Sequence, residues 1–424
     1  MNASNESVMN SNTAPGRDPD GRSPVREVTG GHSFEGRMLE RLLERLGAPE
    51  IEFQLWTGER IAPAGCEPVC RVRIPSRGAL LAILADHQVR FPDAYSDGRI
   101  QIEGDLVQLL ETLYVAGTRA PSPSGLGRLL GNLRRPHANT LAGSRQNIHH
   151  HYDISNDFYS LWLGDTMAYT CAYYPSADAS LDAAQRAKMD HVCRKMRLRP
   201  GEQVVEAGCG WGTFAMHMAR HYGVKVRAFN ISREQVAYAR ERAAREGLAG
   251  QVEYVQDDYR NITGRYDAFV SIGMLEHVGV DHYEGLGAVV SRSLGGNGRG
   301  LIHSIGRNFP APLQPWIEKR IFPGACPPSL GQMMRIFEPW DLSILDVENL
   351  RLHYAQTLRH WLALFEQAAP RVEQMFDARF VRMWRMYLAG SIAGFTTGTL
   401  QLFQVLFATR HNNEVPMTRA HLYT

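Results

Sequence analysis

Apolar positions change their period along this chain, and each change marks a different kind of element. Residues 38–46 carry leucines at helical spacing, 51–56 and 70–74 read as strands, and 79–85 is apolar enough to be buried. Residues 99–103 alternate as a strand does, and 106–115 return to a helical stripe. This mixture predicts a small α+β domain over residues 34–118. It holds no catalytic constellation, which leaves scaffold or lipid-binding roles. Further on, blocks 203–207, 225–230, 252–256, 266–272 and 300–304 read as strands, mostly with helical stretches between them. That order predicts an α/β domain over residues 146–424, with a mostly parallel, doubly wound sheet. Residues 386–409 carry no formal charge, and Gly390, Gly394 and Gly398 recur at the spacing of packed membrane helices. Thr396, Thr397, Thr399, Gln401 and Gln404 interrupt the apolarity, so the expectation is a buried helix, a Gly/Thr break and a final strand, LQLFQVLF.

Charge and composition change this picture locally. A net charge of +2 over 424 residues excludes a broad polybasic surface. Yet no acidic residue lies between Glu111 and Asp153, where Arg119, Arg128, Arg134, Arg135 and Arg145 fall among Leu126, Leu129, Leu130 and Leu133. Residues 119–145 therefore read either as a basic amphipathic segment that touches anionic lipid or as a solvated linker. No nucleic-acid-binding module accompanies it, so nucleic acid is not an expected partner. Residues 1–33 are rich in Asn, Ser, Gly, Pro and Arg without an apolar run, and predict a disordered leader without a signal-peptide core. Six irregularly spaced cysteines suit free thiols in a reducing compartment, hence a cytoplasmic protein. Cys66 and Cys70 lack a second metal half-site, and the adjacent His149, His150 and His151 cannot easily converge on one ion, so no metal is expected.

The chemistry gathers around VEAGCGWG, residues 205–212. Three glycines follow an apolar strand and precede a helix marked by Phe214, Met218 and Ala219, so the backbone there can turn sharply and approach a ligand. Glu206, at the strand end, can accept hydrogen bonds from ligand donors. A glycine loop can also be a plain turn; phosphate cradling is disfavoured, because no Gly-Lys-Ser/Thr follows. GxGxG after an acidic strand end resembles motif I of S-adenosylmethionine-dependent methyltransferases. Gly208, Asn230, Asp258, Glu276 and His303 each fall at or just after a predicted strand end, which places them on one rim of the sheet, where such folds bind ligands.

HHYDISNDFY, YTCAYY, GCGWG, FNISREQ, DDYR, GMLEHVG, HSIGRN and IFPGACPPS occur in this order from residue 150 to residue 329. From about residue 145 to the C-terminus the chain resembles the cyclopropane-fatty-acyl-phospholipid synthases and the related mycolic acid methyltransferases; residues 34–118 resemble their N-terminal domain more loosely. The resemblance implies a Rossmann-like class I methyltransferase domain that transfers a methylene from S-adenosylmethionine to a cis double bond of a phospholipid acyl chain, through a carbocation. It implies a bound bicarbonate as base, held by Cys171, Glu276, His303, the amide of Ile305 and Tyr354. For the cofactor it implies Tyr152, Tyr169 and Thr170 near the amino-acid tail and Gly208 and Gly210 under the sulfonium side. Asn230, Ile231 and Gln235 would flank the ribose and methionyl part, Asp258 and Tyr259 the adenine, and Glu206 becomes a cofactor-side residue. Two departures stand out: the family usually has Thr where Asn230 stands, and Thr396 takes a position that often carries Arg. The resemblance also suggests a homodimer at the inner face of a membrane.

Each residue has a plainer reading. Cys171 among aromatics is ordinarily a small buried thiol, and a histidine such as His303 at a strand end is ordinarily a core residue. His277 invites a general-base role, but the family pattern gives the anion site to Glu276 and leaves His277 behind it. Rival functions share the fold: methyl- or methylene-branching of the same chains, N-methylation of a small molecule, or non-catalytic lipid binding.

Overall fold

The computed structural model describes residues 32–65, 67–119, 155–414 and 416–423. Apart from its last two residues the expected leader lies outside these, as do Cys66, the basic segment beyond Arg119, His149 to His151 and Tyr152. His32 and Ser33 already belong to the folded part: the Ser33 amide donates to Glu59 at 2.9 Å, and its side chain caps the first helix.

The small domain runs through α1 (Phe34–Arg45), β1 (Ile51–Leu55), β2 (Arg60–Ile61), β3 (Cys70–Ile74), α2 (Arg77–Ala85), α3 (His87–Ser96), β4 (Gln101–Glu103) and α4 (Leu106–Arg119). Its sheet has the order β2-β1-β3-β4, with β1 parallel to β3 and the other pairs antiparallel. The buried positions of β1 and β3 alternate, and Leu39, Leu43, Leu80 and Ile83 supply helix faces for the same core.

The second domain opens with α5 (Asn156–Ser160) and α6 (Leu181–Met196). It then alternates: β5 (Gln203–Ala207), α7 (Thr213–Tyr222), β6 (Lys225–Asn230), α8 (Arg233–Arg245), β7 (Val252–Gln256), β8 (Tyr266–Ile272), α9 (Tyr283–Ser293), β9 (Leu294–Gly306). After these come α10 (Pro315–Arg320), α11 (Leu330–Met333), β10 (Leu342–Asn349), α12 (Arg351–Met375), α13 (Ala378–Thr396) and β11 (Gln401–Thr409). The seven-stranded sheet has the order β10-β11-β9-β8-β5-β6-β7. β9, β8, β5, β6 and β7 are parallel, while β11 runs antiparallel between β9 and β10. This is the α/β, mostly parallel domain that the alternation predicts.

Four of the five expected strands keep their bounds, because each is an apolar block flanked by turn residues. The fifth is longer: β9 starts at Leu294, eight residues before Ile302, through a glycine-rich stretch that lacks an apolar signature. β10 was not expected at all. It is an edge strand with mostly exposed or half-exposed side chains, so it has no buried face to announce it. The C-terminal expectation holds, with α13, a break and β11; no described helix is long and apolar enough to cross a membrane.

The domains meet where α3 and α4 pack on α13 and α3 on α10. At the centre Asp93, almost fully buried, accepts from Trp316 Nε1 at 3.0 Å and from Arg320 Nε and Nη2 at 3.1 and 2.9 Å. Burial alone would raise the Asp93 carboxyl, but these hydrogen bonds hold it below the usual range. Arg320→Leu would strand that charge, and we expect a loss of about 2–3 kcal/mol, discounted from the fully buried case because Arg320 is a third exposed. Urea unfolding and proteolysis between the domains measure it; an unchanged midpoint would show that the pair contributes nothing.

Candidate active site

Two cavities meet beyond the carboxyl ends of the parallel strands. The smaller, about 130 Å³, lies over the glycine loop and is lined by Lys188, Glu206, Gly208, Gly210, Asn230 and Gln235. The larger, about 710 Å³, is mostly apolar, with Leu358, Phe395 and Leu402 among its walls. Tyr169, Thr170, Gly273 and His277 line both and form the junction.

The glycine loop is held from three sides. The amides of Gly208 and Cys209 donate to the Phe229 carbonyl at 2.9 and 3.1 Å, and Tyr254 Oη donates to the Gly212 carbonyl at 2.7 Å. Asn230 Nδ2 donates to the Gly210 carbonyl at 3.1 Å and to Gln235 Oε1 at 2.8 Å. Asn230, the departure from the family pattern, thus ties the strand end to the loop. A side chain at Gly208, where φ is +84°, would place its Cβ 2.8 Å from Met274 Cβ. At Gly210 the space where a Cβ would stand is open, so the backbone there faces free volume.

Glu206 sits on the cavity floor with Oε2 buried and, among the described residues, unpartnered. Burial pushes its carboxyl up and pushes the nearby Lys188 ammonium down, while their mutual attraction opposes both shifts. Lys188 Nζ donates to Thr170 Oγ1 at 2.9 Å, which links the cofactor side to the junction. Sequence reasoning missed Lys188, although a signal exists: it occupies the stripe of Leu181, Ala184, Met189 and Val192, all of them buried on α6.

Among the polar groups that line the large cavity are Glu276, Cys171, His303 and Tyr354. Glu276 follows β8 in a short 3₁₀ turn and is 6% exposed; its Oε1 accepts the Ile305 amide at 2.5 Å, and its Oε2 has no partner among the described residues. Burial pushes its carboxyl up to about 7, against backbone and Ser304 hydrogen bonds that favour the charged form. Cys171 is fully buried, and that burial raises its thiol, which therefore stays protonated. His303, on β9, is 1% exposed, with Nδ1 3.1 Å from Gln404 Nε2 and Nε2 unpartnered. Tyr354, on α12, packs its ring against Phe395 at 4.6 Å.

Glu276, Cys171, His303, Ile305 and Tyr354 all line this one cavity, although they come from four separate segments. The Ile305 amide, however, is donated to Glu276. His277 stands at the junction rather than behind Glu276, and burial holds it neutral, at about 4. Ile231, Asp258 and Tyr259 line neither cavity; Asp258 instead caps the turn after β7 by accepting the Arg260 amide at 2.9 Å. Tyr387 was not foreseen either, and its hydroxyl meets that of Tyr169 at 2.8 Å.

The glycine spacing on α13 also finds its reason here. Gly390 and Gly394 line the large cavity, where side chains would take up its room, and Gly398, at φ +79°, turns the chain into β11. Beneath the junction Phe158, Tyr159, Trp162, Tyr169, Trp361 and Trp384 pack edge to face or tilted at 5.0–5.8 Å, an aromatic floor.

Comparison with known proteins agrees with this geometry. Residues 140–405 match the family model of mycolic acid cyclopropane synthetase. The chain is 32% identical over 403 residues to the cyclopropane-fatty-acyl-phospholipid synthase of Escherichia coli K12, covering 90% of this chain and 100% of that one. It is 33% identical over 408 residues to a probable fatty acid methyltransferase of Pseudomonas putida, covering 91% and 99%. Among solved structures, a mycolic acid cyclopropane synthase complexed with SAH and CTAB superposes with a TM-score of 0.60 at 27% identity, covering 62% of this chain and 98% of the other.

Proposed function

This chain belongs to the mycolic acid cyclopropane synthetase family and is an S-adenosylmethionine-dependent C-methyltransferase of the cyclopropane synthase type, and on that premise we propose that it adds a methylene across the cis double bond of unsaturated phospholipid acyl chains. The observation that carries the reading is the meeting of a polar, glycine-floored cavity with a larger, mostly apolar one at Tyr169, Thr170, Gly273 and His277.

The residues fit the cofactor: Gly210 leaves open space, and the orphaned Glu206 Oε2 waits for a donor. When bound, the cofactor supplies an electrophilic methyl group. Tyr169 and Thr170 would hold it at the junction, and Gly208 gives the loop its left-handed turn. The apolar walls hold the alkene beside that junction, which removes the entropy cost of encounter. Transfer of that methyl to the alkene's π pair would break its bond to sulfur, with the bonding pair staying on a neutral thioether as the leaving group, and would leave positive charge on a chain carbon. The faces of Tyr169 and Tyr354 and the carboxylate of Glu276 oppose that charge, and a dry pocket denies it water. One proton must then leave for the ring to close.

Bicarbonate suits the polar corner as the proton's acceptor. His303 Nε2 offers a donor to an anion, while Glu276 Oε2 can accept from its O–H; Cys171, whose thiol donates to the Ala172 carbonyl at 3.1 Å, and Tyr354 line the same corner. The membrane-facing parts of the reading, namely contact through the basic segment, cytoplasmic placement and a homodimer, rest on sequence alone.

A second reading is methyl or methylene branching from the same cation, favoured by the likeness to a probable fatty acid methyltransferase. Incubation with labelled S-adenosylmethionine and monounsaturated phospholipid vesicles separates them. A product one CH2 heavier that resists hydrogenation is expected; one of the same mass that takes up hydrogen selects methylene branching, a saturated one heavier by CH4, formed with a hydride donor added, selects methyl branching, and unlabelled lipid sinks both. Gly208→Ala should weaken cofactor binding about tenfold or more, since a left-handed backbone costs roughly 1–2 kcal/mol and the overlap with Met274 adds to it. Calorimetric titration reads this, and wild-type affinity would remove the loop from the binding site.

A further inference from the structure

We infer that Gln404 is a positioning residue that holds His303 in a single tautomer, with the proton on Nε2, so that this histidine presents an N–H donor to the acyl cavity and does not act as a base. The inference deepens the proposed anion site and rests on that reading for the identity of what the donor meets.

The placement begins with strand register. His303 on β9 lies opposite Gln404 on β11, which lies opposite Glu348 on β10. Directly paired residues share one face of a sheet, so the three form a polar row across adjacent strands. Glu348 identifies what covers that face: its Oε2 meets His191 Nε2 at 2.8 Å and Lys195 Nζ at 2.5 Å, both from α6. Lys188, His191 and Lys195 form a buried stripe on that helix.

His303 is therefore buried under Lys188 and Lys195, with Glu348 the single opposing charge among the groups that act on it. Burial and the two lysines drive it well below its ordinary range, so the ring is neutral and carries one proton. Gln404 decides where. It is fully buried, and its amide nitrogen, 3.1 Å from Nδ1, can only donate. Nδ1 must accept, and the proton falls to Nε2. The reverse amide orientation would leave both N–H bonds of a buried side chain unpaired, whereas the observed one orphans a carbonyl oxygen, the less costly of the two. Nε2 has no partner among the described residues, and His303 lines the large cavity with Cys171, Glu276 and Tyr354. A donor fixed in this way needs no reorganisation when an anion arrives.

Nitrogen NMR on the full chain with 15N-labelled histidine tests this, with His303 assigned by the signal lost in His303→Asn. At neutral pH we expect a protonated Nε2 and a bare Nδ1; a protonated Nδ1, alone or in an imidazolium, overturns the inference. Gln404→Glu, whose carboxylate can only accept, should transfer the proton to Nδ1 and lower kcat about ten- to a hundredfold, with KM for S-adenosylmethionine within about twofold. Wild-type turnover in that folded variant also overturns it. Gln404→Leu supplies neither donor nor acceptor and should give a mixture of tautomers; a His303 still wholly Nε2-protonated there would show that Gln404 does not direct it. Turnover that ignores added bicarbonate, alongside an intact Nε2 tautomer, would defeat the anion reading and leave the positioning role standing.

Discussion

Glu276→Gln is expected to abolish turnover, by about a thousandfold or more in kcat, while cofactor affinity stays within about twofold of wild type. The substitution keeps the shape and leaves an oxygen for the Ile305 amide, which Oε1 now accepts at 2.5 Å. What disappears is the charge on a side chain that faces the reacting chain and lines no part of the cofactor cavity. The buried carboxyl, pushed up to about 7, gives a second reading of the same residue. Below that pH it is protonated and neutral, so kcat/KM should fall about tenfold per pH unit on the acid side and level off above. Rapid-quench assays with cofactor titrations check the first expectation, and a pH profile the second. Normal turnover of the Gln variant would take Glu276 out of the chemistry.

The largest stability effect is expected at Trp162. Its indole is fully buried and touches the rings of Phe158, Tyr159, Tyr169, Trp361 and Trp384 at 5.3–5.8 Å. α5 and the loop after it, α12 and α13 all reach this cluster, so no single helix can move in to fill a hole. Trp162→Ala should cost about 3–5 kcal/mol in urea unfolding, and Trp162→Phe markedly less. Because Tyr169 stands on this floor and lines both cavities, the Ala variant should also lose turnover at temperatures where it remains folded. A loss below about 1 kcal/mol would mean that the floor repacks freely.

Much of the catalytic domain was legible because its signals are local. β5 to β8 keep their expected bounds, β5 and β8 because they are mostly apolar and buried, β6 and β7 because Val226, Ala228, Val252 and Tyr254 alternate with more exposed residues. The motif residues were legible by resemblance, and the fold brings Cys171, Glu276, His303, Ile305 and Tyr354 to one cavity. What stayed hidden depends on tertiary neighbours. Lys188 reads as a solvated helix charge until α6 is seen to pack it against Glu206 and Thr170. β10 is visible only through its pairing with β11. Gln404 looked like an interruption of an apolar run; its register opposite His303 gives it a role. Gly390 and Gly394 suggested helix packing; Gly390 instead faces open space beside the cavity, while Gly394 makes room for the Leu400 side chain, 3.1 Å from where a Cβ would stand.

Gln88 and Tyr114, from α3 and α4, also line the large cavity, and Gln314 on its rim reaches back to donate to the Gln88 carbonyl at 2.8 Å. The small domain is thus a cork as much as a scaffold. On the proposed mechanism a cation on the acyl chain closes the ring, loses its proton to give a branched chain or is captured by water, and how it divides among these depends on how well that cork is seated. Product fidelity then belongs to the docking of two domains through Asp93 and Arg320, at a distance from any group that touches the reacting carbon. Hydroxylated lipid should accumulate in Arg320→Leu before activity is lost, and mass spectrometry of its products would show whether a joint between domains sets the purity of what the enzyme makes.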